Sequence, residues 1–213
     1  MAIGKNDFIE IEFTAKIKTT GEVFDTNKKE DAKALGLKEV KPFVIVIGQN
    51  MAIPGLDKSL ENKEIGKEYT EEFAPVDAFG VRHKNLVRMI PMKVFIAQKI
   101  YPQAGMQLSL DGMLARVISV SGGRVLMDFN NPLSGKNVVY NFKVVRKIED
   151  TNEKINALQD YFFKQRFDFV VKEKEITIKV PEQMLQLIPM FNEPFNKILG
   201  MTLKAEKAEE KKN

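Results

Sequence analysis

Asp25 stands directly after Val23 and Phe24. An acid placed there is either the cap of a strand end or a group aimed at a site, and the residues alone leave both readings open. Phe13 and Tyr140 lie on the apolar faces of alternating segments, where an aromatic ring belongs by default to a core. The chain has no cysteine and one histidine, His83, which excludes disulfides, thiol nucleophiles, thiolate metal sites and a His-only metal cluster. No metal and no cofactor are expected. Of the ten methionines, five (Met89, Met92, Met106, Met113 and Met127) crowd into one short region. Met113 and Met127 are expected in the core of a hairpin. Met89, Ile90, Met92, Val94, Phe95 and Ile96 instead cluster around Pro91, where flexible, polarizable side chains on a surface would accept varied partners.

The elements that must position these residues are read from periodicity. Ile9, Ile11, Phe13, Ala15 and Ile17 alternate with Glu10, Glu12, Thr14, Lys16 and Lys18, a strict period of two and thus a half-buried strand. Turn residues Thr19-Thr20-Gly21-Glu22 lead into an extended Val23-Phe24-Asp25 run, as in a hairpin. Residues 26–41 read as a charged loop with a short helical turn. Phe43 to Ile47 form a buried strand ended by Gly48, residues 54–60 a short helix, and residues 68–73 a strand closed by Pro75. Gly122-Gly123 joins two apolar runs into a hairpin, and Val138, Tyr140, Phe142 and Val144 mark a further strand. After residue 150, Ile155, Leu158, Tyr161 and Phe162 recur at helical spacing. A strand over 176–180 then leads through Pro181 into an apolar helical stretch with Met184, Leu185, Ile188 and Phe191. Residues 204–213, almost all Lys, Glu and Ala, are expected to be a helical or frayed solvated tail.

Four short pieces in order, Gly21-Glu22-Val23-Phe24-Asp25, Lys41-Pro42-Phe43 leading to Gly48, Ile53-Pro54-Gly55-Leu56, and Asp77-Ala78-Phe79-Gly80, resemble FKBP-type peptidyl-prolyl isomerases. In ordinary members a short flap separates the Phe-Gly pair, usually Tyr-Gly, from the last strand. Here residues 81–137 intervene, flanked by Asn85-Leu86-Val87-Arg88 and Leu133-Ser134-Gly135-Lys136-Asn137, and this resembles the SlyD branch with its insert-in-flap domain. The resemblance spans about residues 5–150, and the remainder is similar to the extension of long archaeal FKBP chaperones. It implies an α+β fold in which an FKBP antiparallel half-barrel sheet with a short helix is interrupted by a β-rich insert and followed by a C-terminal α/β domain. The implied domains are residues 1–85 with 137–150, residues 86–136, and residues 151–213.

Carried over by position, the implied prolyl pocket comprises Phe13, Phe24, Asp25, Phe43, Ala52, Ile53, Leu56, Phe79 and Tyr140, with aromatic walls, Leu56 as floor and Asp25 as the polar member. Phe79 replaces a frequent Tyr, which removes a donor worth about 0.5–1.5 kcal/mol; Leu56 replaces the Trp floor of drug-binding relatives; and the His- and Cys-rich tail of many SlyD proteins is absent, so nickel handling is not carried over. His83 lies one residue out of register with a flap histidine and reads as an exposed loop residue. The family's use of the insert assigns Met89, Ile90, Met92, Val94, Phe95 and Ile96 to gripping unfolded or nascent polypeptides. The activity implied is isomerisation of X-Pro bonds with chaperoning; the rival is a holdase with little isomerase activity.

Charge and hydropathy bound the partners. The 33 basic and 29 acidic residues, net +4, are mixed along the chain, a solvated surface and not a nucleic-acid footprint. No apolar run approaches the roughly 20 residues needed to cross a bilayer, and Met1-Ala2-Ile3-Gly4-Lys5 is not an apolar signal stretch, so a cytoplasmic protein without nucleic-acid or membrane partners is expected. The C-terminal part, with a modest core of its own, is expected to form a homodimer or to pack on its neighbour.

Overall fold

The computed structural model describes residues 3–110 and 112–208. It holds three sheets. The first contains β1 (Phe8–Ile17), β2 (Val23–Thr26), β3 (Phe43–Val46), β4 (Glu68–Phe73) and, after the insert, a long strand (Val138–Ile148). Between β2 and β3 lies the short helix α1 (Lys29–Ala32), and between β3 and β4 lies α2 (Pro54–Ser59). The insert supplies β5 (Val87–Pro91), α3 (Met92–Ala97), β6 (Gln107–Leu110), β7 (Met113–Ser121) and β8 (Arg124–Asp128), so that the returning strand is β9. The last part comprises α4 (Thr151–Phe162), β10 (Phe169–Lys172), β11 (Glu175–Val180), α5 (Asn192–Leu199) and β12 (Thr202–Lys207).

β9 lies between β1 and β4, antiparallel to both, while the other edge of β1 pairs with β3 along its first half and with β2 along its second. The alternation read in β1 and β9 becomes one inward face, with Ile9, Ile11, Phe13 and Ala15 beside Tyr140, Phe142 and Val144, all buried. The insert is an antiparallel sheet of order β5-β8-β7-β6 whose core is Phe95, Ala115, Val117, Val125 and Met127. The third sheet is mixed, β10-β11-β12 with β11 and β12 parallel. Its Ile176, Ile178, Val180 and Leu203, with Phe195 of α5, share one apolar cluster with the first sheet, and the Tyr161 hydroxyl donates to the Asn50 carbonyl at 3.3 Å. The expected α+β class holds.

Three expectations are corrected. Residues 202–207 are a strand, not a helical tail: Leu203 is buried and Ala205 partly buried beside β11, and ion pairs Lys204–Glu175 and Lys179–Glu206 run across the charged outer face, so alternate burial overrides helix propensity. Residues 209–213 of that tail lie outside the described residues. The apolar stretch after Pro181 is two 3₁₀ turns, Glu182–Met184 and Ile188–Phe191, and the helix begins only at Asn192, because Pro189 has no N–H to continue a helix. Met113 is 47% exposed, whereas Met127 is buried as expected.

The entry to α2 depends on a buried carboxylate. Asp57 accepts from the backbone N–H groups of Gly48 (2.9 Å) and Asn50 (3.1 Å), two left-handed residues of the turn that follows β3. Asp57→Ala strands both donors, and the expected loss is ~1–3 kcal/mol in urea-unfolding free energy; an unchanged midpoint would show that water replaces the carboxylate.

Candidate active site

The strand register sets the site. Asp25 and Tyr140 both pair with Ala15, from opposite sides of β1. The methyl group between them is too small to separate them, and cross-strand neighbours share a face. Pairing of β2 skips Phe24, since Ala15 faces Asp25 while Lys16 faces Val23. Phe24 is therefore the extra residue of a β-bulge, the device that re-aims a side chain out of strict alternation. The result is that Phe24 and Asp25 both reach Tyr140.

Tyr140 is the hub of the rings. Its centroid lies 5.9 Å from Phe13, 6.1 Å from Phe24 and 5.8 Å from Phe73. Phe43 tilts against Phe13 at 5.5 Å, and Phe79 meets Phe24 edge-on at 5.5 Å, distances at which aromatic pairs attract. Phe13 (6% exposed), Tyr140 (5%) and Leu56 (2%) form the floor and back wall. Phe24, Phe43, Ala52, Ile53 and Phe79 are only partly buried against the same cluster and supply the accessible surface. The nine residues expected in the pocket lie on or beside the first sheet and α2: Phe13, Phe24, Asp25, Phe43 and Tyr140 on strands, Leu56 on α2, Ala52 and Ile53 just before it, and Phe79 after the 3₁₀ turn Pro75–Asp77.

Phe73 is the member that the sequence reading missed. It is buried at the end of β4 beside Tyr140, and a Cβ at Gly55 would lie 2.4 Å from its Cδ1, so Gly55 is what lets α2 close on it. The signal was available in the alternation of Tyr69, Glu71 and Phe73, whose inward positions are the more buried.

Burial raises the Asp25 carboxyl above the ordinary carboxylate value, opposed in part by a hydrogen bond from the Thr26 backbone. Asp25 is nonetheless exposed to solvent by surface area, so the surrounding chain strips water from one side only and the rise is a modest one. The Tyr140 hydroxyl is likewise driven up, first by burial and then by the nearby Asp25 charge. No salt bridge reaches Asp25 among the described residues. The arrangement offers an apolar, ring-lined surface with one carboxylate at its rim and no nucleophile. Two clefts of about 710 Å³ lie elsewhere, one along Glu10, Glu12, Lys41 and Glu68, the other beside Arg82, Arg116 and Lys136.

The residues expected to grip chains divide by exposure. Met89, Val94 and Ile96 are exposed, and Ile90 and Met92 are partly buried around the insert's core. Phe95 is fully buried at the centre of that core, which corrects its placement on the surface: on α3 it points inward while its neighbours Val94 and Ile96 point out. His83 is exposed, as expected, and the structure engages its backbone, whose N–H donates to Asn130 Oδ1 (2.8 Å) and whose carbonyl accepts from Asn130 Nδ2 (3.0 Å).

Because burial raises the Asp25 pKa in the folded chain, the native state holds that proton more tightly than the unfolded state does. Ionised Asp25 therefore costs stability at neutral pH, and the cost is relieved as pH falls through the folded value toward the unfolded one near 3.8. Asp25→Asn is expected to raise Tm at pH 7, with the gain vanishing at about pH 3; a gain independent of pH would exclude desolvation as its source.

The family model for FKBP-type peptidyl-prolyl cis-trans isomerase matches residues 1–95, and that described as FKBP26, IF domain, matches residues 88–133. A short-type peptidyl-prolyl cis-trans isomerase of Methanocaldococcus jannaschii is 30% identical over 146 residues, covering 67% of this chain and 92% of the relative. FKBP-type isomerases named SlyD from Helicobacter pylori and Treponema pallidum are 27% and 29% identical, covering 69% and 74% of this chain and 76% and 85% of theirs. A solved structure of the three FKBP domains of wheat FKBP73 superposes at a TM-score of 0.38 and 14% identity over 70% of this chain and 42% of its own. With a relative covered almost end to end at this identity and the ring cluster in place, the chain belongs to the FKBP-type peptidyl-prolyl cis-trans isomerases.

Proposed function

We propose that the ring-lined face built on Tyr140 is the prolyl pocket of a folding isomerase, and that the insert captures unfolded polypeptides and delivers them to it. The observation that carries the reading is the bulge at Phe24, which turns a ring and a carboxylate together onto an otherwise apolar surface. Rotation of an X-Pro bond meets a barrier of about 18–20 kcal/mol because the planar amide has double-bond character. Twisting the bond abolishes that resonance and the charge separation that water stabilises. A dry aromatic wall at Phe24, Phe43 and Phe79 thus favours the twisted amide over the planar one, and Leu56, Ala52 and Ile53 accept the proline ring. Asp25 holds the twisted amide or another pocket group, and no proton need be transferred.

The division of labour follows the sheets. Residues 1–85 with 137–150 form the isomerase, residues 86–136 the capture module, and residues 151–213 a C-terminal domain with a capacity for self-association. Exposed Met89, Val94 and Ile96, with Ile90 and Met92 beside them, supply adaptable apolar contacts for unfolded chains. Tethering raises the local concentration of prolyl segments at the pocket without any new contact there. No helix among the described residues is long and apolar enough to cross a membrane, and work on polypeptides of the cytoplasm fits the mixed surface charge.

The reading is tested by refolding of a proline-limited protein. Rim variants Phe24→Ala and Asp25→Ala are preferable to Tyr140→Ala, whose truncated ring would empty the core. The expected result is a loss of roughly tenfold or more in catalysed refolding, with suppression of aggregation retained. Deleting residues 86–136 should leave turnover of short peptides while abolishing the advantage on unfolded proteins. Aggregation suppression with no acceleration by the intact protein would establish the holdase reading instead.

A further inference from the structure

Where the insert joins the isomerase, a cleft of about 710 Å³ is lined by Arg82, Arg116 and Lys136 together with Asp128 and Ser134. Asp128 is the only acid among its lining residues, and it is engaged: Arg82 Nε and Nη2 both donate to Asp128 Oδ2, at 3.1 and 2.6 Å. Arg116 sits directly across from Asp128 on β7. Neither Arg116 nor Lys136 has a salt-bridge partner among the described residues, so the lining sets three cations against one carboxylate. The cleft therefore carries an uncompensated positive charge.

Its position matters as much as its charge. Ser134 Oγ donates to the carbonyl of Phe79 at 3.2 Å, and Gly135 N–H donates to the Gly80 carbonyl at 2.9 Å, so the wall of the cleft is bonded to the backbone of a pocket residue. The outward face of β7 and β8 forms its other side. The cations thus line a cleft whose wall is hydrogen-bonded to the backbone of Phe79 and Gly80, next to the rings. Their walls are held in place, since Asn130 bridges to His83 and to Asp128.

We infer that this junction cleft is a subsite for acidic side chains of the polypeptide substrate, which makes the protein selective for X-Pro segments flanked by Asp or Glu. The inference rests on the prolyl-pocket reading above and adds a substrate class to it. Cations facing a cleft focus their field and favour a carboxylate over its amide, and the preference is screened as salt rises.

The test uses the full chain and three peptide series in which the residues flanking one X-Pro bond are Glu, Gln or Lys, on either side of the proline. The expected Glu-to-Gln ratio of kcat/KM is about three- to tenfold at low ionic strength and shrinks in 0.5 M salt. In Arg116→Gln with Lys136→Gln the ratio falls to about one whatever the absolute rate, and Arg116→Glu with Lys136→Glu reverses it toward the Lys peptides. A ratio of one in the unmodified protein, or a preference that survives charge reversal, would overturn the subsite while measurable turnover of the Gln peptides leaves the pocket reading standing. Turnover of none of the three series would overturn both.

Discussion

The pairing of β1 with β9 is the constraint on which the rest of the molecule depends. It joins residues 8–17 to residues 138–148, and every pocket ring is referred to it directly or through one neighbour: Phe13 faces Phe142, Ala15 faces Tyr140, and β2 and β4 hang on the outer edges. Closing so long a loop carries an entropy that grows only logarithmically with length, about 0.6 kcal/mol per doubling. A whole module can therefore be inserted between β4 and β9 at little cost, provided that its two ends meet. They do so at the neck, where Gly135 bonds Gly80 and Phe129 bonds Leu86.

The neck explains how two different surfaces coexist in one chain. The first sheet spends its apolar face on a continuous core shared with the C-terminal part, leaving only partly buried rings at the rim. The insert has a small core of its own under α3, too small to cover all its apolar residues, so Met89, Val94, Ile96, Met113 and Leu114 remain in water. Exposed apolar patches of this kind mark interaction surfaces or aggregation liabilities, and the proposed capture of unfolded chains gives this one the first use. The insert thus has a core of its own, and hydrogen bonds at the neck fix where it joins the first sheet.

Much of this was legible in the sequence, and the parts that were not share a cause. Alternation gave β1 and β9 because one face is buried and the other wet, and the four ordered motif pieces led to the ring cluster around Tyr140. The bulge at Phe24 was invisible, since strict period-two reading of Val23-Phe24-Asp25 sends Phe24 and Asp25 to opposite faces; only the register against Ala15 reveals that they turn together. Phe95 was misplaced because a run of apolar residues on a six-residue helix does not announce which one points inward. β12 was hidden by composition: Lys, Glu and Ala favour helix, and the strand exists because a parallel partner accepts Leu203 and Ala205 on its buried side. In each case a neighbour distant in sequence decided a local choice.

Electrostatics ties the pocket to the neck. Some charges on this surface form exposed ion pairs that contribute little individually. Two places near the rings and the neck carry charge with no ion-pair partner among the described residues: Asp25, whose carboxyl is raised above its ordinary pKa by partial desolvation, and the junction cations Arg116 and Lys136. Phe79 is common to both, touching Phe24 through its ring and Ser134 through its carbonyl. An acid left unpaired in the pocket repels acidic side chains from the rim, while the cations one step away attract them. On the proposed reading the sign of the charge changes between Asp25 and the junction cleft, which would orient a chain with its proline at the rings and its acidic residues toward the insert.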